Sequence, residues 1–247
     1  MCETCGCGDP DLVSVELHES LLASNDRMAQ HNREHFGERG VLAINLMGSP
    51  GSGKTALLEA TARALAGHRL GALSGDLATD NDGARLRAAG IPAATITTGS
   101  ACHLDARLVH EALHELAWEE VDTLFVENVG NLVCPAIYDL GQQASVVALS
   151  VTEGEDKPLK YPVIFRKADL VLLTKCDLLP HLPGYRMEAL EAALAATMPV
   201  PRLVRCSAVT GEGLDEWYAW IAARRAELPP ATGKRHHHHH HHHDHSG

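Results

Sequence analysis

Gly48-Ser-Pro-Gly-Ser-Gly53-Lys54-Thr55 satisfies G-x-x-x-x-G-K-S/T at every required position. An apolar run, residues 41–47, precedes it, and a helical pattern over 54–66 follows. That order is what a phosphate-binding loop needs. Gly48, Gly51 and Gly53, with Ser49 and Ser52 between them, let the backbone wrap a phosphate so that successive N–H groups point inward. The helix behind adds its positive end. Lys54 places a point charge on the β- and γ-phosphates, and the Thr55 hydroxyl is a Mg²⁺ ligand in such loops.

Outward from this loop, short apolar runs recur at 70–74, 93–97, 123–126, 145–150, 170–174 and 202–206. They are nearly continuous rather than alternating, as strands buried on both faces are. Helical patterns fall between several of them, for example at 106–116 and 186–196. The alternation predicts an α/β domain of the P-loop NTPase fold, a mostly parallel sheet with helices on both faces.

A nucleotide site of this kind needs an acid at the end of a later strand, linked to the Mg²⁺. Glu127, closing the run before Asn-Val-Gly130, is the first candidate, with Gly130 placed to sense a γ-phosphate. Asp76 is the second candidate, for the metal or its waters. The base is chosen further on. In Thr174-Lys175-Cys176-Asp177 the Asp177 carboxylate can accept from the two N–H donors of guanine, which adenine lacks, and Lys175 lies along the base. Cys206-Ser207-Ala208 fits the loop whose backbone approaches the guanine oxygen. Thr174 stands where Asn is usual. Cys176 and Cys206, inside these motifs, are expected to pack rather than ligate.

The composition is that of a globular protein: 247 residues, 45% hydrophobic and 21% charged. A formal net charge of -11 argues against nucleic acid as a partner. No apolar stretch reaches the length of a membrane span, and the first ten residues lack the pattern of a signal peptide, so the cytoplasm is the expected compartment. Four zones divide the chain: a Cys-rich head, 1–10; an N-terminal helix, 11–39; the nucleotide domain, 40–228; and a His-rich tail, 229–247.

There are seven cysteines, and Cys2, Cys5 and Cys7 crowd together within reach of the Met1 amine. In a reducing compartment such a cluster is a metal ligand set. Three thiolates and an amine suit square-planar Ni²⁺ or, closed tetrahedrally, Zn²⁺. A second set, Cys102, His103 and Cys134, lies inside the domain; spacing alone also allows buried structural cysteines. Cys134 follows Gly130 closely, in the segment expected to respond to a γ-phosphate. The tract 236–243 with His245 reads equally as a native cation-binding tail and as an affinity tag. Scattered histidines such as His110 and His114 read as decoration of a helix surface.

Taken together, these residues resemble the HypB family, the GTPases that help insert nickel into [NiFe]-hydrogenase. The resemblance rests on the head, the phosphate loop, residues 101–105, Glu-Asn-Val-Gly-Asn-Leu-Val-Cys-Pro (127–135), Thr-Glu-Gly-Glu-Asp-Lys-Pro-Leu-Lys-Tyr-Pro (152–162) and both guanine motifs. It implies a GTP-hydrolysing metallochaperone that forms a GTP-dependent homodimer. The implied partners are a second hydrogenase maturation protein and the hydrogenase large-subunit precursor. It makes Cys102, His103 and Cys134 a Zn²⁺/Ni²⁺ site near the dimer interface. It also makes Met1, Cys2, Cys5 and Cys7 a high-affinity Ni²⁺ site, as in some members. Arg107 stands where some relatives offer another His, which leaves the fourth internal ligand to water or to the partner subunit. The competing expectations are a nickel storage or buffering protein, and a GTPase metallochaperone for another enzyme such as urease.

Overall fold

The computed structural model describes residues 10–76, 80–99 and 103–232, with side chains of the first helix from residue 20 onward. Met1, Cys2, Cys5, Cys7, Cys102 and the histidines at 236–243 and 245 lie outside the described residues.

Each of the seven apolar runs is a strand: β1 (Leu42–Met47), β2 (Leu70–Asp76), β3 (Ala93–Thr97), β4 (Thr123–Glu127), β5 (Ala144–Ser150), β6 (Leu170–Thr174) and β7 (Leu203–Arg205). They form one sheet in the order β3-β2-β4-β1-β5-β6-β7, with every neighbouring pair parallel. The helices are α1 (Pro10–Arg39), α2 (Lys54–Ala64), α3 (Asn81–Ala88), α4 (Ala106–Leu113), α5 (Lys157–Lys160), α6 (Pro162–Lys167), α7 (Met187–Thr197) and α8 (Leu214–Ala226).

The inner strands are largely apolar because both faces of the sheet are covered. Leu42, Ile44 and Leu46 of β1 join Leu57 and Leu58 of α2, Leu86 of α3 and Trp217 of α8 in one core. Ala43, on the other face, joins Phe36 of α1 and Val109 of α4 in a second. Met47 and Val147 meet Phe165 of α6 and Leu190 of α7 in a third. β2 and β4 run further than the apolar pattern predicts, because paired neighbours hold their last residues, Asp76 against Thr97 and Glu127 against Ser74. Both acids therefore stand at the carboxyl edge of the sheet, where a parallel α/β sheet opens its ligand crevice.

Polar contacts dock α1 on α4. Asn25 Oδ1 accepts from the Ala106 N–H at 2.9 Å, an N-terminal donor with no partner inside its own helix. The Asn32 amide donates to the carbonyls of Ala106 at 2.8 Å and Leu140 at 3.1 Å. Gly141, at φ 90°, lets α1 approach this closely, since a Cβ there would lie 2.5 Å from the Ala29 carbonyl oxygen.

Candidate functional site

The phosphate loop leaves the end of β1 and enters α2. Gly48, Gly51 and Gly53 all have positive φ, and a Cβ on Gly48 would lie 2.4 Å from the Ala148 carbonyl oxygen. Only glycine folds there. The buried Lys54 Nζ donates to the carbonyls of Gly48 and Ser49, both at 3.3 Å. Burial lowers its pKa, while the charges of Glu127, Asp82 and Glu153 raise it.

Thr55 faces two acids. Its hydroxyl lies 2.7 Å from Glu127 Oε1 and 3.0 Å from Asp82 Oδ1. One hydroxyl proton cannot serve two carboxylates. Among the described residues Glu127 Oε2 has no hydrogen-bond partner, though Glu127 is only 3% exposed. Burial pushes its pKa up to about 7, against the pull of the Thr55 hydroxyl and the Lys54 charge. Two carboxylate oxygens gathered at one hydroxyl are a donor set for a hard, oxygen-preferring cation. Mg²⁺ fits these residues.

Asp76 lines the same cavity, about 440 Å³, together with Lys54, Thr55, Asp82, Glu127 and Gly130. The acid at the Thr55 hydroxyl, besides Glu127, is Asp82 in the first turn of α3. Sequence reasoning did not assign Asp82 this place, and its only signal was proximity to Asp76. Gly130 rests on the phosphate loop, where a Cβ would lie 2.8 Å from Pro50 Cγ.

A second cavity, about 260 Å³, shares Gly53, Ala56 and Lys175 with the first and is lined further by Thr174, Asp177, Ser207 and Ala208. Asp177 Oδ1 is buried with no partner among the described residues, as a carboxylate waiting for ligand donors is. Thr174 replaces the usual Asn in a definable way: its buried hydroxyl donates to the Ser52 carbonyl at 2.6 Å, tying the base loop to the phosphate loop. Lys175, in the left-handed region at φ 59°, donates to the Gly51 carbonyl at 2.7 Å. Ser207 Oγ accepts from the N–H groups of Val209 and Thr210, which shapes its turn. Cys176 and Cys206 are buried, and burial pushes the Cys206 thiol up to about 12, so both pack as expected.

Of the internal metal set, Cys102 is outside the described residues. His103 stacks on Tyr138, with ring centroids 4.0 Å apart and planes within 11°. Cys134 opens the short 3₁₀ turn Cys134–Ala136 and is half-buried. Among the described residues, the segments 103–105 and 134–138 meet at this ring pair. The buried Asn128 connects them to the nucleotide strand: its side-chain oxygen accepts from Leu104 N at 3.3 Å and Val129 N at 3.0 Å, and its amide donates to Asn45 at 3.2 Å.

Residues 42–201 match the family model described as CobW/HypB/UreG, nucleotide-binding domain. A hydrogenase maturation factor HypB of Azotobacter chroococcum is 50% identical over 212 residues, 85% of this chain and 69% of the relative. The chain belongs to the HypB family. The HypB of Escherichia coli K12 is 46% identical, over 85% of this chain and 73% of its own length. The crystal structure of Helicobacter pylori HypB in complex with nickel superposes with a TM-score of 0.79 at 37% identity, covering 83% of this chain and 96% of that one. The HypB fold, a parallel sheet carrying a nucleotide-binding loop, is therefore the one described above. Among the described residues no helix is long and apolar enough to cross a membrane.

Proposed function

We propose that the chain is a GTP-hydrolysing nickel metallochaperone of [NiFe]-hydrogenase maturation, acting in the cytoplasm as a GTP-dependent homodimer. It passes nickel onward with a second maturation protein to the hydrogenase precursor. Membership of the HypB family supports the role, and the nickel complex of the Helicobacter pylori relative supports the cargo. In this reading Met1, Cys2, Cys5 and Cys7 take Ni²⁺ in the head, and Cys102, His103 and Cys134 hold Ni²⁺ or Zn²⁺ in the domain.

The chemistry follows from the site. Lys54 and the loop N–H groups hold the phosphates, and Asp177 with the Ser207–Ala208 loop holds guanine. Thr55, Glu127 and Asp82 would hold Mg²⁺, which neutralises charge developing on the phosphates during transfer. Asp76, on the same wall, would hold the ion or its waters.

The observation that carries the coupling is the bonding of Asn128. Glu127 accepts from the phosphate-loop Thr55, and the next residue accepts from the N–H beside His103. A shift of the 127–130 segment on hydrolysis moves the cargo segment with it. The test is Ni²⁺ affinity by chelator competition with GDP or a non-hydrolysable GTP analogue, both with Mg²⁺. The unaltered chain should bind at least about five-fold more tightly in the GTP-like state, the lower end of typical coupling. Cys134→Ala should lose the difference. Equal affinity in both states of the unaltered chain defeats the coupling.

A further inference from the structure

His31 and His35, one helical turn apart on α1, meet His110 of α4 where the two helices pack, and His114 follows at the end of α4. Each of His31, His35 and His110 offers a ring nitrogen, and these nitrogens lie within 4.8 Å of one another. The ring centroids are 4.1 Å apart for His31–His35, 5.1 Å for His31–His110 and 5.8 Å for His35–His110. His114 stands 5.2 Å behind His110.

The arrangement includes an orienting group of the kind metal-bound histidines have. His110 Nδ1 lies 3.1 Å from Asn32 Oδ1. The Asn32 amide nitrogen already donates to two backbone carbonyls, so its oxygen is the atom presented to the ring. His110 therefore carries its proton on Nδ1 and leaves the Nε2 lone pair open. A second hydrogen bond that fixes the tautomer and the ring plane is what a ligating imidazole needs.

We infer that His31, His35 and His110 form a second site for one divalent transition cation of the Ni²⁺/Zn²⁺ class, bridging α1 and α4 and leaving a coordination position for water or an incoming ligand. Three imidazoles suit such ions and not Mg²⁺ or Ca²⁺. The site is built from residues other than Cys102, His103 and Cys134, yet His31 and His103 line one cavity of about 530 Å³. A cation held at His31 shares that groove with the cargo segment. The existence of the site does not depend on the nucleotide chemistry proposed above.

Trp118 supplies a local probe, because its ring is parallel to that of His35, within 7° at 6.3 Å. Trp217 and Trp220 belong to the core on the opposite face of the sheet. Ni²⁺ has an open d shell and quenches a nearby indole. Titrating the full chain with Ni²⁺ should give saturable quenching that Trp118→Phe removes. His31→Gln, which alters an exposed side chain, and His35→Gln should each raise the half-quenching Ni²⁺ concentration at least tenfold. The head and the histidine tail remain in every variant, so their binding is common to all the curves. Quenching that does not depend on Trp118 overturns the site, and so does an unchanged midpoint in His31→Gln and His35→Gln.

Discussion

Glu127→Gln separates the charge of the phosphate-site carboxylate from its shape. In the folded chain Glu127 is 3% exposed, receives one hydrogen bond from Thr55, and has Oε2 unpartnered among the described residues. Burial, reinforced by the Asp82 charge and opposed by Thr55, Lys54 and Arg85, pushes its pKa from the ordinary 4.5 to about 7. Below the unfolded pKa both states hold the proton and folding suffers no penalty. As pH rises from there toward 7 the unfolded chain loses its proton first, so stability falls with rising pH. Above 7 both states are ionised and the whole penalty applies, about 3 kcal/mol at the conversion of 1.36 kcal/mol per pH unit. Relaxation around Gln and entry of water reduce what is recovered.

Without metal or nucleotide, Glu127→Gln should therefore unfold at the same urea concentration as the unaltered chain near pH 4.5, and be the more stable of the two at pH 8. The expected gain is roughly 1–3 kcal/mol, or about 3–10 °C in Tm for a chain of this size. Urea unfolding in EDTA from about pH 4.5 to about pH 8 measures it. A difference between the two proteins that stays constant across this range refutes the reasoning, because it would mean that Glu127 does not bind its proton more tightly in the folded state. GTP hydrolysis should move the opposite way and fall steeply in the variant, because Gln brings no charge to the oxygen set at Thr55.

Asn32→Leu should destabilise the chain by roughly 2–4 kcal/mol, read by urea unfolding, because the buried carbonyls of Ala106 and Leu140 lose their donor; an effect below about 0.5 kcal/mol would show that α1 does not depend on this contact. Asp177→Asn should weaken GDP binding by a hundredfold or more and improve binding of xanthosine diphosphate, since an amide can donate where the carboxylate could only accept; unchanged guanine preference in competition binding would remove Asp177 from base recognition.

The parts of this protein that can be read from sequence are those with local requirements. Positive φ at Gly48, Gly51 and Gly53 is demanded within eight residues, and a doubly covered strand shows as an uninterrupted apolar run wherever it falls. Contacts that join distant segments left weaker marks. The Thr174 hydroxyl meets the Ser52 carbonyl across 122 residues of chain, a tether that the four-residue motif around it does not show. Asp82 reaches Thr55 only because α3 begins where it does. His110 reads from the sequence as decoration of a helix surface, because nothing in α4 alone reveals that α1 lies on it and brings His31 and His35 alongside.

Asn128 bears most directly on the proposed coupling between the nucleotide segment and the metal segment. It is fully buried, and three separate pieces of backbone and side chain share its amide: Asn45 on β1, Val129 after β4, and Leu104 beside His103. Breaking one of these bonds inside the protein leaves a desolvated polar group, at a cost of about 1–3 kcal/mol. Movement of the 127–130 segment is therefore easier if Leu104 follows than if it stays behind. Coupling of that kind needs no conformational relay through a dozen residues. It needs one side chain that is more costly to abandon than to follow, and a nucleotide whose γ-phosphate biases where that side chain sits.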